Sequence, residues 1–214
     1  MNLVVLGPQG SGKGTQAERL ARDFSLEHVD MGRFLREVAA MDTPLGREVY
    51  LIQNVTKTLV PSRILREVFT VKLSTMEREQ GIVFDGFPRN LDQAEYFSEA
   101  LREFGRKIDQ VIFITISEDE SLKRIARRWI CRDCREVLIK QKESDSHCLK
   151  CGGELEQRTD DTEEGVQKRL QVFREETLPV VEKYRQEGLL LEIDGEQSIE
   201  AVYQEIITKL NDYH

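Results

Sequence analysis

Three short stretches of the chain hold residues whose types and spacing can do chemistry. The first is GPQGSGKGT, Gly7–Thr15. Its Gly-x-x-x-x-Gly-Lys frame falls on Gly7, Gly12 and Lys13. Glycines let the backbone turn tightly and aim N–H groups at an anion, and a helix that follows adds its positive N-terminal end. Lys13 then reaches the outer phosphates as a point charge. The Ser or Thr usual directly after the lysine is Gly14 here, with Thr15 next. The second stretch is DGFPR, Asp85–Arg89. A carboxylate at the carboxyl end of a buried strand, beside a phosphate loop, suits magnesium or its waters. A helix cap is the plainer alternative for Asp85. The third is two Cys-x-x-Cys pairs, Cys131/Cys134 and Cys148/Cys151, with 13 residues between them. Four thiolates in two tight turns can surround zinc tetrahedrally and leave no open position for catalysis. His147 adjoins Cys148, but four cysteines need no fifth ligand. Unliganded thiols or a redox pair are the alternatives.

These stretches need elements to position them. Asn2–Leu6 (NLVVL) reads as a buried strand running straight into the loop. Lys13–Phe24 repeats apolar residues at Ala17, Leu20, Ala21 and Phe24, one helix face. Further strands fall at Glu27–Asp30, Ile82–Asp85, Val111–Ile116 and Leu189–Ile193. Helices fall near Arg33–Ala40, Leu45–Asn54, Ser62–Met76, Leu91–Phe104 and Glu118–Arg128. A long helix runs from about Asp161 to Glu187, capped by Asp160 or Asp161. It carries Val166, Leu170, Phe173, Val181 and Tyr184 near one face, and Pro179 should kink it. A last helix spans about Ser198–Leu210. Buried strands alternating with helices predict an α/β fold with a parallel sheet covered on both faces. Trp129–Gln157 breaks the pattern: polar, rich in Cys and Gly, without clear periodicity. It reads as a small insert.

The 214 residues suffice for one large domain with such an insert. A net charge of −8 argues against a general nucleic-acid binder, while local arginine clusters still suit anionic substrates. The start MNLVVLG has no targeting pattern, and no apolar run is long enough to cross a bilayer. The expected compartment is the cytoplasm, where paired cysteines are metal ligands more often than disulfides.

GKGTQ (Gly12–Gln16), DGFPR and QRTDD (Gln157–Asp161) together resemble the adenylate kinases, over essentially the whole chain. The cysteine stretch makes it most similar to the bacterial long form, whose lid carries structural Zn2+. The resemblance implies a P-loop core around a five-stranded parallel sheet, an acceptor-binding helical flap and a small zinc-binding lid. The implied boundaries are 1–29, 61–127 and 160–214 for the core, 30–60 for the flap and 128–159 for the lid. It implies Mg2+-dependent reversible transfer, ATP + AMP = 2 ADP, by a monomer with no nucleic-acid or membrane partner. Lys13, Asp85, Arg89, Arg128, Arg158 and Arg169 are the implied catalytic set. Donor ATP contacts would come from Gly10, Ser11, Gly12, Lys13, Gly14, Thr15, Arg124, Arg128, Val137, Leu138 and Gln197. Acceptor AMP contacts would come from Met31, Arg36, Thr58, Leu59, Val60, Gly86, Phe87, Pro88, Arg89, Gln93, Arg158 and Arg169. Arg124 and Arg128, four apart, should project from one helix face. Guanidinium forks suit phosphate oxygens, and the Gln93 amide offers a donor and an acceptor to an adenine edge.

Two readings compete with this one. A zinc-ribbon regulatory or nucleic-acid-binding protein could keep a nucleotide-binding core. The loop between the cysteine pairs is charge-balanced, however, with Arg135, Lys140 and Lys142 against Glu136, Glu143 and Asp145, and it has no aromatic stacking platform. Arg124 and Arg128 before it, and Arg158, Asp160 and Asp161 after it, frame the insert as a lid stiffened by metal. The second competitor is a kinase with a relaxed or different acceptor. Where the family commonly has Ser-Thr-Gly-Asp, the chain has Asp30, Met31, Gly32 and Arg33, and Gly-x-Leu-Val-Pro-Asp becomes Lys57-Thr58-Leu59-Val60-Pro61-Ser62. Met31 is adaptable and can pack on a base face, but it gives no firm hydrogen bond. Initial rates with AMP, CMP, UMP and GMP should therefore show measurable turnover beyond AMP; strict AMP use with an ordinary KM excludes relaxed selectivity.

Overall fold

The computed structural model describes residues 1–56, 60–134, 137–139, 146–157 and 161–212. In chain order these form β1 (Asn2–Leu6), α1 (Lys13–Asp23), β2 (Glu27–Asp30), α2 (Met31–Ala39) and α3 (Pro44–Leu51). A π turn over Ile52–Thr56 follows, then α4 (Ser62–Ser74), β3 (Ile82–Asp85), α5 (Leu91–Glu103), β4 (Gln110–Thr115) and α6 (Glu118–Ala126). Three short strands come next: β5 (Arg128–Cys131), β6 (Val137–Ile139) and β7 (Leu155–Glu156). The chain ends with α7 (Glu163–Val172), a second π turn over Phe173–Thr177, α8 (Leu178–Gln186), β8 (Leu190–Asp194) and α9 (Ile199–Asn211).

The main sheet is parallel throughout, in the order β2-β3-β1-β4-β8. Every residue of β1 is buried, which explains its unbroken apolar run. Leu3 and Val5 face α1 and α9, packing with Leu20, Ile112, Val202 and Ile206. Val4 and Leu6 face the opposite layer, with Leu35, Ile64, Phe97 and Val181. The sheet is thus covered on both faces, as the alternation predicts. Within the second layer, Phe69, Phe84, Phe87 and Phe97 form an aromatic cluster. The Phe84 and Phe97 rings meet edge to face at 4.7 Å, and the Phe69 and Phe87 centroids are 4.8 Å apart. Edge-to-face contacts add to plain area burial.

Helix starts follow capping chemistry. Asp30, Thr43, Asn90, Ser117, Thr162 and Ser198 each accept a first-turn N–H. Several expectations change. The cap of α7 is Thr162, one residue past Asp161, whose carboxylate is otherwise engaged. The long helix is interrupted: the Leu178 N–H bonds the Phe173 carbonyl across a wide turn, just before Pro179, which has no N–H to give. Its apolar face is split accordingly. Val166 and Leu170 pack with Ile125, while Val181 and Tyr184 join the main core. Phe24 is an exposed C-cap rather than a face residue. The α3 pattern gives way at Ile52, where Asn54 and Thr56 side chains bond the carbonyls of Tyr50 and Ile52. α6 stops at Ala126, so Arg128 lies in β5 and shares no helix face with Arg124. The supposedly irregular insert holds a three-stranded antiparallel sheet, β6-β5-β7. Its strands are too short for a period-two signal to stand out.

Truncating a ring in the aromatic cluster leaves a cavity beneath the Asp85–Arg89 loop. Phe97→Ala should lower stability by about 3–5 kcal/mol, read as a fall in the urea midpoint at constant m-value.

Candidate functional site

Parallel strands deliver their carboxyl ends to one edge of the sheet, where ligands of open α/β folds bind. β1 opens there into the Gly7–Thr15 loop. Gly10 and Gly12 take φ of 80° and 85°, a left-handed turn that glycine adopts without strain. α1 begins at Lys13, so its unpaired N–H groups face the loop. The Ser121 hydroxyl donates to the Gln9 carbonyl and fixes the loop from outside. Lys13 Nζ donates to the Pro8 carbonyl at 3.3 Å. Its pKa is pushed below the ordinary lysine value, chiefly by burial; Arg89 and Arg128 add to this, while Asp85 and Asp30 oppose it. The site concentrates positive charge and would welcome an anion.

Asp85 ends β3, beside Val5 in register and opposite Asp30 of β2. A Cβ placed on Gly14 would lie 3.1 Å from Asp85 Oδ2. The unusual glycine after the lysine therefore admits the carboxylate against the start of α1. Asp85 Oδ1 is buried with no hydrogen-bond partner. A hard cation or its waters would satisfy that oxygen, so the site fits magnesium. On β2 the His28 imidazole lies close by, its Nε2 3.8 Å from Asp85 Oδ2. The sequence reading missed it, because only the β2–β3 pairing brings the two together.

Arg124 clasps the loop: its guanidinium donates to Glu120, to the Gly10 carbonyl at 3.4 Å and to the Gly195 carbonyl at 2.9 Å. Gln197 donates to the Asp194 carbonyl and to Glu205, which holds it on the turn before α9. Thr15 is exposed on α1, and Ser11 is buried in the loop. Val137 and Leu138 lie in β6, paired with Ile130 and Trp129.

Arg128 and Arg169 come from β5 and α7 and meet on one carboxylate. Arg128 Nε donates to Asp161 Oδ2 at 2.8 Å, and its Nη2 donates to Oδ1. Arg169 Nη2 donates to the same Oδ1 at 3.0 Å. The Asp161 side chain is only 3% exposed. A buried carboxylate facing two guanidinium forks is well compensated.

On the acceptor side, Asp30 caps α2 by accepting the Arg33 N–H, and Arg36 is exposed on the same helix. Met31 is 3% exposed and joins the core cluster, so it offers little surface to a base. Gly86, Phe87 and Pro88 form the turn that carries Arg89. Phe87 is buried in the aromatic cluster, and the Gly86 carbonyl accepts from Arg89 Nε at 3.1 Å. Gln93 is buried and spends its amide internally, accepting the Arg89 N–H at 2.9 Å and donating to the Val60 carbonyl at 3.4 Å. The Thr177 hydroxyl donates to the Arg89 carbonyl at 2.9 Å. Sequence pattern gave no hint of this contact across 88 residues. Thr58, Leu59, Arg158 and Asp160 lie outside the described residues.

The four cysteine Sγ atoms lie within 4.8 Å of one another. Cys131 and Cys151 are 3.4 Å apart, and Cys134 and Cys148 are 3.7 Å apart. Tetrahedral Zn–S bonds place sulfurs about 3.8 Å apart, so the cluster can hold such an ion. Gly153 allows the close approach, since a Cβ there would sit 2.9 Å from Cys131 Sγ. The Cys131 thiol is lowered to about 7, chiefly by the backbone N–H of Cys134. Thiolate ligation is thereby eased.

A family model described as adenylate kinase matches residues 5–189. The chain is 41% identical over 209 residues to an adenylate kinase of Archaeoglobus fulgidus, covering 96% of each chain. It is 38% identical to one of Caldicellulosiruptor bescii, covering 98% of this chain and 99% of that one. Against one of Petrotoga mobilis the identity is 36%, over 100% and 99% respectively.

Stripping metal with a chelator, or Cys148→Ser, should remove the cross-link that holds β5, the knuckles and β7 together. A loss of about 2 kcal/mol moves the melting temperature of a chain this size by about 4–8 °C. Scanning calorimetry with and without chelator should show a fall of that order. An unchanged Tm excludes a structural metal.

Proposed function

The chain belongs to the adenylate kinase family, and on that premise we propose how its own residues perform Mg2+-dependent transfer of the γ-phosphoryl of ATP to AMP, giving two ADP. The activity itself, ATP + AMP = 2 ADP by a nucleoside monophosphate kinase, follows from that membership. The observation that carries the reading is the Gly7–Thr15 loop set between β1 and α1, with Asp85 beside it at the carboxyl edge of the sheet.

Phosphoryl transfer asks the protein for alignment, charge neutralisation and exclusion of water more than for covalent work. The loop amides of Gly10, Ser11, Gly12, Gly14 and Thr15 cradle the donor phosphates, and Lys13, resting on the Pro8 carbonyl, supplies positive charge to them. Asp85 would hold magnesium or its waters, and the ion would neutralise phosphate oxygens further. Arg124 orders the loop from the donor side, next to Gln197 and the lid residues Val137 and Leu138. Arg128 and Arg169 stand parked on Asp161 and, with Arg158, turn to the transferring phosphoryl when nucleotides arrive; Asp161 is the anion that holds the arginine pair until a phosphate replaces it.

Arg36 and Arg89 grip the acceptor phosphate, alongside Gly86, Phe87 and Pro88. Thr58, Leu59 and Val60 line the base. Gln93 reads the adenine edge by exchanging its bonds to the Arg89 N–H and the Val60 carbonyl for bonds to the base. Residues 30–60 act as the acceptor flap and 128–159 as the lid, closing on core segments 1–29, 61–127 and 160–214. Cys131, Cys134, Cys148 and Cys151 would hold zinc, and the ion would stiffen that lid. No helix among the described residues is long and apolar enough to cross a membrane. The working form is a cytoplasmic monomer that uses ATP, AMP and ADP.

Coupled assay of ADP formation from ATP and AMP tests the reading. Lys13→Met removes the buried charge while leaving the loop backbone in place. It should lower kcat by about a thousandfold or more, with the melting temperature held. Wild-type rates in the variant would exclude Lys13 from the chemistry.

A further inference from the structure

Threonines in helices can turn the hydroxyl back onto the carbonyl four residues earlier. Thr56, Thr70 and Thr208 do so here, donating to Ile52, Arg66 and Gln204. Thr177 does not. Its equivalent carbonyl, on Phe173, accepts the Leu178 N–H across the π turn. Its hydroxyl instead reaches across the fold to the Arg89 carbonyl at 2.9 Å. It makes no bond to the first turn of α8 either, which continues directly from the π turn. Thr177 is 6% exposed, so this hydrogen bond is made away from competing water.

Arg89 is consequently held at both backbone ends by side chains: Gln93 Oε1 accepts its N–H and Thr177 holds its carbonyl. Its Nε is anchored on the Gly86 carbonyl. The two backbone clamps differ in one respect. Gln93 would exchange its bond for an acceptor base, and Thr177 has no such second duty. The π turn that frees Thr177 is itself pinned, since Phe173 stacks on Phe113 of β4 with centroids 6.3 Å apart. The same helical arm carries Arg169 and follows Asp161.

We propose that Thr177 is a positioning residue for the reaction: its hydroxyl fixes the Arg89 loop, and so sets the Arg89 guanidinium in register with the arm that bears Arg169. The inference rests on the reading of Arg89 as a grip on the acceptor phosphate. Positioning errors are felt in turnover more than in folding.

Thr177→Val keeps the volume and removes the donor; Thr177→Ser keeps the donor. For Thr177→Val, kcat/KM for AMP should fall about 5- to 30-fold, while KM for ATP stays within about twofold of wild type. Thr177→Ser should restore most of the loss. Unaltered acceptor kinetics in Thr177→Val would overturn the proposal. So would equal damage to both substrates, or failure of serine to rescue. If the wild-type chain does not turn over ATP and AMP, the kinase reading fails separately. Hydrogen exchange of the 85–90 segment then decides the hook: faster exchange in Thr177→Val than in wild type and Thr177→Ser supports it, and identical exchange overturns it.

Discussion

The site depends first on a register. β1 and β3 lie side by side and parallel, with Val5 opposite Asp85. That pairing brings a glycine loop from one strand and a carboxylate from the other to the same edge. β2, paired to β3 with Asp30 opposite Asp85, adds a second acidic end and the start of α2. A shift by one residue would turn Asp85 toward the core and bury Phe84 on the wrong side. Phe84 in the aromatic cluster and Val83 in the opposite layer fit different neighbours, and that packing opposes the shift. The hydrophobic core and the phosphate site are therefore one problem: packing sets the register, and the register sets the chemistry.

Charge is the second theme. The protein is acidic overall, yet its sheet edge gathers Lys13, Arg89, Arg128 and Arg169. Cations so crowded repel one another and need anions nearby. Asp85 and Asp30 supply part of the balance at Lys13. Asp161 supplies it to Arg128 and Arg169, buried and accepting from both. The arrangement is thus charge-compensated within the protein. An acidic chain handles acidic substrates by holding its positive charge in a few short-range pairs, where global charge is screened.

What the sequence made legible was local. The Gly7–Thr15 loop, the Asp85–Arg89 turn and the cysteine pairs carry their meaning within a few residues, and the strand–helix alternation follows from buried apolar runs. What it hid was long-range or geometric. Arg128 looked helical because its spacing from Arg124 fits a helix, but the Trp129–Ile130 pairing draws it into a strand. Asp161 looked like a cap because acids favour helix starts, but two arginines compete for it and Thr162 takes the cap. His28 and Thr177 meet residues far along the chain, His28 lying near Asp85 and Thr177 bonding Arg89, and no period or motif marks either. Met31 was read as facing a base, whereas an apolar side chain at the first turn of α2 finds the core closer to hand.

The π turn at Phe173–Thr177 separates two helical faces with different neighbours. Upstream, Val166 and Leu170 pack on Ile125 of α6; downstream, Val180, Val181 and Tyr184 sit in the main core. Each residue of an α-helix advances the side chains by about 100°. The angle between Arg169 and the buried face of α8 is therefore set by how many residues that single wide turn takes up. A residue gained or lost there turns one half of the arm against the other by roughly a quarter circle. Along this stretch of chain, the residue count itself aims Arg169 relative to the core.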